Sequence, residues 1–253
     1  MTTMPLIVGH RGAADLAPEN TLKAFRRGLE AGADMLECDV HLSADGKDVI
    51  IHDATLDRTA QEDSPLRTGA VAELTRAELD QVLVGEGEHI PTLTEVLDLA
   101  AALPHDPSRH APVLVEIKAV EAAPRVAELL RERYDASVME GLSAPARVIS
   151  FQAEALRIVH RLAPSVPLGH LCRELTDQAL EEAAEVGAAT LAVRASLLRE
   201  GDVERIRRAG IIPLVWALRE EEHIRLAADL QVSWVGADDP ARTRRVVADQ
   251  LGL

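Results

Sequence analysis

Aromatic side chains are scarce in this chain: two Trp, two Phe and one Tyr in 253 residues. Apolar residues still make up 47% of it, so Leu, Val, Ile and Ala must fill the core. Cysteine is nearly absent too. Cys38 and Cys172 lie far apart and form no metal-type pair, which excludes a zinc motif and suits reduced thiols. Lysine is reduced to Lys23, Lys47 and Lys118. No apolar run is long enough to span a bilayer. The opening "MTTMPLIV" has no basic segment before an apolar core. The expectation is a cytoplasmic protein with no stable membrane insertion. Positive charge is also in deficit, with a net charge of −15. That argues against a nucleic-acid surface. It also means that an anionic substrate would need local basic residues or a bound cation.

What is present is a strand–helix rhythm. Short apolar runs occur at 6–9, 35–40, 113–118, 147–151, 166–171, 189–193, 211–217 and 233–237. Between most of them lie segments of helical periodicity. In the first, Leu22, Phe25 and Leu29 share a face, with Asn20 as a cap and Gly32 as a stop. Eight strands with intervening helices predict a (β/α)₈ (TIM) barrel, one domain over 1–253. An open doubly wound sheet is the competitor, but no Gly-rich dinucleotide turn follows the first strand. About seventy residues separate the second strand from "VLVEIK", more than an ordinary βα loop needs. This connection opens with "HLSADGKDVIIHD", where Asp45-Gly46 signals a hairpin. Its middle, Val71–Val84, reads as partly helical, and the whole could cover the barrel mouth.

Polar residues collect where the strands end, which is where such barrels place their active sites. His10 and Arg11 end the first strand, Glu37 and Asp39 lie near the end of the second, and Glu116 and Lys118 end the third. Alternation puts Glu37 and Asp39 on one side with Cys38 opposite. Adjacent inward carboxylates repel unless protons or a cation neutralise them. A third from the neighbouring strand suits a hard divalent cation, Mg²⁺ or Ca²⁺ rather than zinc. Arg11 beside Gly12 suits anion recognition. Glu116 and Lys118 could equally pair with each other. His10 and His52 could be structural, and Trp216 could be core or pocket wall. The other seven histidines form no comparable cluster and read as ordinary.

The segments "GHRGAADLAPENTLKAF", "LECDVHLSADGKDVIIHDATLDRT", "IPTLTEVL", "VEIK" and the closing "ADDP" resemble, in this order, the glycerophosphodiester phosphodiesterases, in their smaller cytoplasmic form. The resemblance implies a (β/α)₈ barrel and metal-dependent hydrolysis of glycerophosphodiesters to sn-glycerol 3-phosphate and an alcohol. It implies Glu37, Asp39 and Glu116 as metal ligands and His10 and His52 as the acid–base pair. Arg11 and Lys118 would bind the phosphate, with Trp216 on the substrate. Two departures stand out. Arg219 and acids occupy the stretch after Trp216, where the family commonly has an asparagine. The last strand reads "SWVGADDP" instead of an Ile-Ile-Thr run. Both bear on the alcohol pocket. The expected partner is a small-molecule diester; a homo-oligomer is not readable. Two other readings stay open: a phospholipase-D-like enzyme acting on lysophospholipids at a membrane, and a catalytically silent phosphate-binding barrel.

Overall fold

The computed structural model describes residues 3–101, 113–140 and 145–253. Each of the eight apolar runs becomes a strand, and the hairpin adds a ninth, β3: β1 (Leu6–Gly9), β2 (Met35–Leu42), β3 (Asp48–Ile50), β4 (Val113–Ile117), β5 (Ala146–Ser150), β6 (Leu168–Cys172), β7 (Thr190–Arg194), β8 (Ile212–Leu218) and β9 (Trp234–Ala237). Neighbours pair in parallel in the order β1-β9-β8-β7-β6-β5-β4-β2, and the β1–β2 pairing closes the ring. The expected barrel is therefore the observed one. The Asp45-Gly46 hairpin also forms: β3 lies antiparallel on the end of β2, with Val40 opposite Ile50.

The helices are α1 (Leu22–Glu30), α2 (Arg76–Leu79), α3 (Leu93–Ala100), α4 (Ala123–Glu140), α5 (Ala153–Leu162), α6 (Asp177–Glu185), α7 (Asp202–Arg208), α8 (Glu221–Asp229) and α9 (Pro240–Leu251). Among the described residues, none is long and apolar enough to cross a membrane. Helix α9 starts on the Asp239 cap with Pro240 in its first turn. One expectation at a helix end changes. The cap of α1 is Thr21, whose hydroxyl accepts from the Ala24 amide, and not Asn20. Residues 102–112, His105 and His110 among them, lie outside the described residues.

The two faces of the strands divide the core. Val8, Met35, Leu114, Ile149, Leu171, Ala192, Leu214 and Trp234 fill the barrel interior. The alternate residues, such as Leu36, Cys38, Val40, Val113 and Val115, pack outward under the helices. The long connection has a small core of its own, from Val49, Ile51, Leu56, Val71, Leu79, Val82, Val84 and Ile90. Its middle contains a 3₁₀ turn at Val71–Glu73 and the short α2. Capping boxes at Thr75–Glu78 and Thr92–Glu95 define its helix starts. Arg58 ties it to Glu19 in the loop after β1. The connection thus stands at the C-terminal rim, where it delivers His52.

Candidate active site

The inward parity of each strand extends past the apolar layer to the rim. On β2 the inward series is Met35, Glu37, Asp39; on β4 it is Leu114, Glu116, followed by Lys118. These carboxylates stand past the apolar layer, at the barrel's upper end. Ligand atoms of Glu37, Asp39 and Glu116 lie within 4.8 Å of one another. Glu37 and Asp39 are buried, at 5% and 1% exposure. Their surroundings set their charges apart. Burial first, then Asp39 and Glu116, push the Glu37 carboxyl well above the usual range. Burial and then Asp39 lift Glu116 to about 7. Burial also lifts Asp39, but Lys118, Arg11 and His52 outweigh it and leave Asp39 below its ordinary value.

Two cations flank the cluster. Lys118 Nζ lies 2.7 Å from Glu116 Oε1 and 3.4 Å from Asp39 Oδ1, so the sequence's alternative pairing and its cluster both form. Arg11 Nε lies 3.4 Å from Asp39 Oδ2, and its NH1 donates to Glu19 Oε1 at 2.9 Å. The Arg11 amide donates to Glu37 Oε2 at 2.8 Å. Glu37 Oε1 is buried without a hydrogen-bond partner among the described residues. An orphaned oxygen in a set of oxygen donors, two of them resisting ionisation, is the environment that a hard divalent cation relieves. The residues present fit such an ion.

The turn after β1 is tightly constrained. Gly12 has φ +88°, and a Cβ there would meet the Ala24 carbonyl carbon at 2.5 Å and the Phe25 nitrogen at 2.6 Å. Arg11 (φ 49°) and Asn20 (φ 57°) also hold the left-handed region. Gly12→Ala should therefore lose roughly 2–5 kcal/mol of stability, from strain plus overpacking, measured by urea denaturation. A stability within error of wild type would mean that the turn is not the constraint described here.

Each histidine is held by a carboxylate. His10 Nδ1 is 2.5 Å from Asp238 Oδ1, and Asp238 Oδ2 accepts from Arg219 Nε at 2.6 Å. His52 Nδ1 is 2.6 Å from Asp53 Oδ1, and Asp53 Oδ2 accepts from Arg58 Nε at 2.5 Å. Arg58 then reaches Glu19, which reaches Arg11, so one ionic chain joins the two sides of the mouth. A carboxylate at Nδ1 selects the tautomer with its proton there and leaves Nε2 free. Burial lowers the His52 pKa, opposed by Asp39 and assisted by Arg11. His10, Glu37, Glu116 and Trp216 line one narrow axial cavity of about 30 Å³, room for a water or two. Trp216 packs edge-on to Phe151, with centroids 5.5 Å apart.

All eight residues singled out in the sequence stand at this end of the barrel. Sequence reasoning missed several of their neighbours. Asn20 is no cap: its Nδ2 donates to Asp39 Oδ2 at 2.7 Å. Glu19, Asp53, Arg58 and Asp238 had no assigned part. For Asp238 a signal existed, since it continues the inward series Trp234, Gly236 of β9. His41, read as ordinary, contacts the His52 carbonyl oxygen through Nε2 at 3.1 Å.

The model of the glycerophosphoryl diester phosphodiesterase family matches residues 10–242. The chain belongs to that family. It is accordingly an enzyme of the phosphodiesterase class. Among its relatives, the Mycobacterium tuberculosis protein named "Probable glycerophosphodiester phosphodiesterase 1" is 33% identical, with 97% of this chain and 93% of that one covered. The Caldanaerobacter subterraneus glycerophosphodiester phosphodiesterase is 30% identical, covering 93% and 94%. The solved glycerophosphodiester phosphodiesterase of Thermotoga maritima superposes with a TM-score of 0.75 at 26% identity, covering 96% and 99%. The matched region of this chain includes the whole acidic cluster and both histidines.

Proposed function

We propose that this chain hydrolyses glycerophosphodiesters to sn-glycerol 3-phosphate and an alcohol. In this reading a divalent cation, Mg²⁺ or Ca²⁺, is held by Glu37, Asp39 and Glu116. His10 and His52 exchange protons with the reacting oxygens, and Arg11 and Lys118 hold the phosphate. The observation that carries the reading is one juxtaposition. Two imidazoles, each fixed through Nδ1 by its own carboxylate, stand at an acidic cluster flanked by two cations.

A phosphodiester is anionic and gains charge in the transition state. The bound cation would supply Lewis-acid neutralisation of that charge. Arg11 and Lys118 add fixed positive charge in a site largely shielded from water. With Nδ1 committed to carboxylates, each histidine presents Nε2: one takes the proton of the nucleophile, the other gives a proton to the departing alkoxide. Asp238 and Asp53 hold the two rings in position and stabilise the imidazolium that forms. Trp216 serves as the apolar wall beside the phosphate. The glycerol hydroxyl next to the ester is the favoured nucleophile, because it is already held near phosphorus. A cyclic phosphate then forms, and water opens it with the two histidines exchanging roles. The cytoplasm is the compartment proposed; Cys38 and Cys172 are free and buried, in keeping with it.

The test is turnover of glycerophosphoglycerol beside a lysophospholipid, with sn-glycerol 3-phosphate detected by a coupled assay. Turnover confined to the soluble diester supports the proposal. Preference for the lysophospholipid would instead favour the membrane-acting reading, and no turnover of either the silent barrel. A 2-deoxy diester, lacking the neighbouring hydroxyl, should bind as an inhibitor and be barely turned over. Turnover of it at the parent rate would make water the nucleophile.

A further inference from the structure

We propose that the cleft between the ends of β1, β7 and β8 binds an anionic group on the alcohol half of the substrate, recognised by Arg194 and Arg219. This rests on the phosphodiesterase reading and extends it to the substrate class. The cleft has a volume of about 310 Å³ and is lined by His10, Arg11, Arg194, Trp216, Arg219 and His223 among others. It shares His10 and Trp216 with the axial cavity. A diester whose phosphate lies at His10 and Arg11 therefore has one arm within reach of this cleft.

The charge in that cleft runs against the composition of the chain. The protein carries a net charge of −15, yet three guanidiniums meet here and Glu220 is the one carboxylate in the lining. Arg11 is committed to Glu19 and Asp39. Arg219 gives Asp238 only its Nε, and its side chain is 61% exposed. Arg194 has no ion-pair partner among the described residues. Its place is set by the strand: Arg194 continues the inward series Thr190, Ala192 of β7 and lies in register with Trp216 on β8. The glycerol half of the substrate offers these guanidiniums hydroxyl acceptors but no ionic partner beyond the shared phosphate. A phosphate or carboxylate on the alcohol would pair with their paired N–H groups. A quaternary ammonium there would be repelled.

Three diesters that share the sn-glycerol-3-phosphate half test this. Their alcohols are choline (cationic), glycerol (neutral) and glycerol phosphate (anionic). At low salt the wild-type kcat/KM should be at least about 10-fold higher for the anionic diester than for the choline diester, and salt should shrink the gap. Arg194→Gln should lower the anionic-to-neutral ratio of kcat/KM by about 10-fold, and Arg194→Lys should restore part of it. Equal or better use of the choline diester by wild type would overturn the proposal. So would an unchanged ratio in Arg194→Gln. Failure of wild type on all three diesters would overturn the phosphodiesterase reading itself, and this inference with it.

Discussion

His10→Ala is expected to lower the turnover rate by roughly 10²–10⁴-fold, the range for loss of a general acid or base. His52→Ala does the same. Both are expected because each ring has Nδ1 occupied by a carboxylate and Nε2 without a hydrogen-bond partner among the described residues. Neither ring is part of the apolar core: His10 stands at the rim with 13% of its side chain exposed, and His52 follows β3 in the connection with 30% exposed. Circular dichroism and the thermal midpoint should therefore stay near wild type. The double variant should lose far less than the product of the two single losses, because the two histidines act on one reaction. Asp238→Asn separates positioning from chemistry. It removes the negative charge behind His10 and allows the wrong tautomer, so kcat falls and its pH profile shifts, while KM changes little. If His10→Ala or His52→Ala keeps near-wild-type turnover, that histidine is not an acid–base group.

The second large effect concerns the acidic cluster. Chelation should abolish turnover, and Mg²⁺ or Ca²⁺ should restore it. Glu37→Gln, Asp39→Asn and Glu116→Gln should each cost roughly 10²–10³-fold in kcat/KM, in line with the several kcal/mol that a catalytic cation contributes. Calorimetry should show weakened cation binding in all three. A further readout needs no activity. Without the cation, the buried Glu37 and Glu116 are pushed toward their protonated forms by burial and by their neighbours. Glu37→Gln or Glu116→Gln relieves that repulsion, so the cation-free variants should melt at a higher temperature than cation-free wild type. Asp39→Asn should melt lower, because Lys118 and Arg11 lose the carboxylate they both face. Full activity after exhaustive chelation, with no cation binding by calorimetry, would remove the metal from the mechanism.

The barrel and the identities at its rim are legible in the order of the amino acids alone. Apolar runs at regular spacing specify buried parallel strands, and period-two alternation specifies which residues face inward. Glu37, Asp39 and Glu116 could be placed on one inner surface for that reason, as could the pairing of Glu116 with Lys118. The Asp45-Gly46 turn was legible because its chemistry is local. Contacts between partners far apart in the chain are not legible in that way. Asp238 meets His10 across 228 positions, and Arg219 joins them. No local pattern announces that contact; it exists because closing the barrel sets β9 beside β1. Asn20 shows the same limit at shorter range. Its residue type and position suit a helix cap, but Thr21 takes the cap, and Asn20 in the left-handed region turns to Asp39. Arg194 was invisible as a specificity residue, since an arginine at a strand end has no meaning until the neighbouring strand ends show what it faces. Propensity and alternation act along the chain, whereas charge pairing at the mouth depends on distances that closure alone creates.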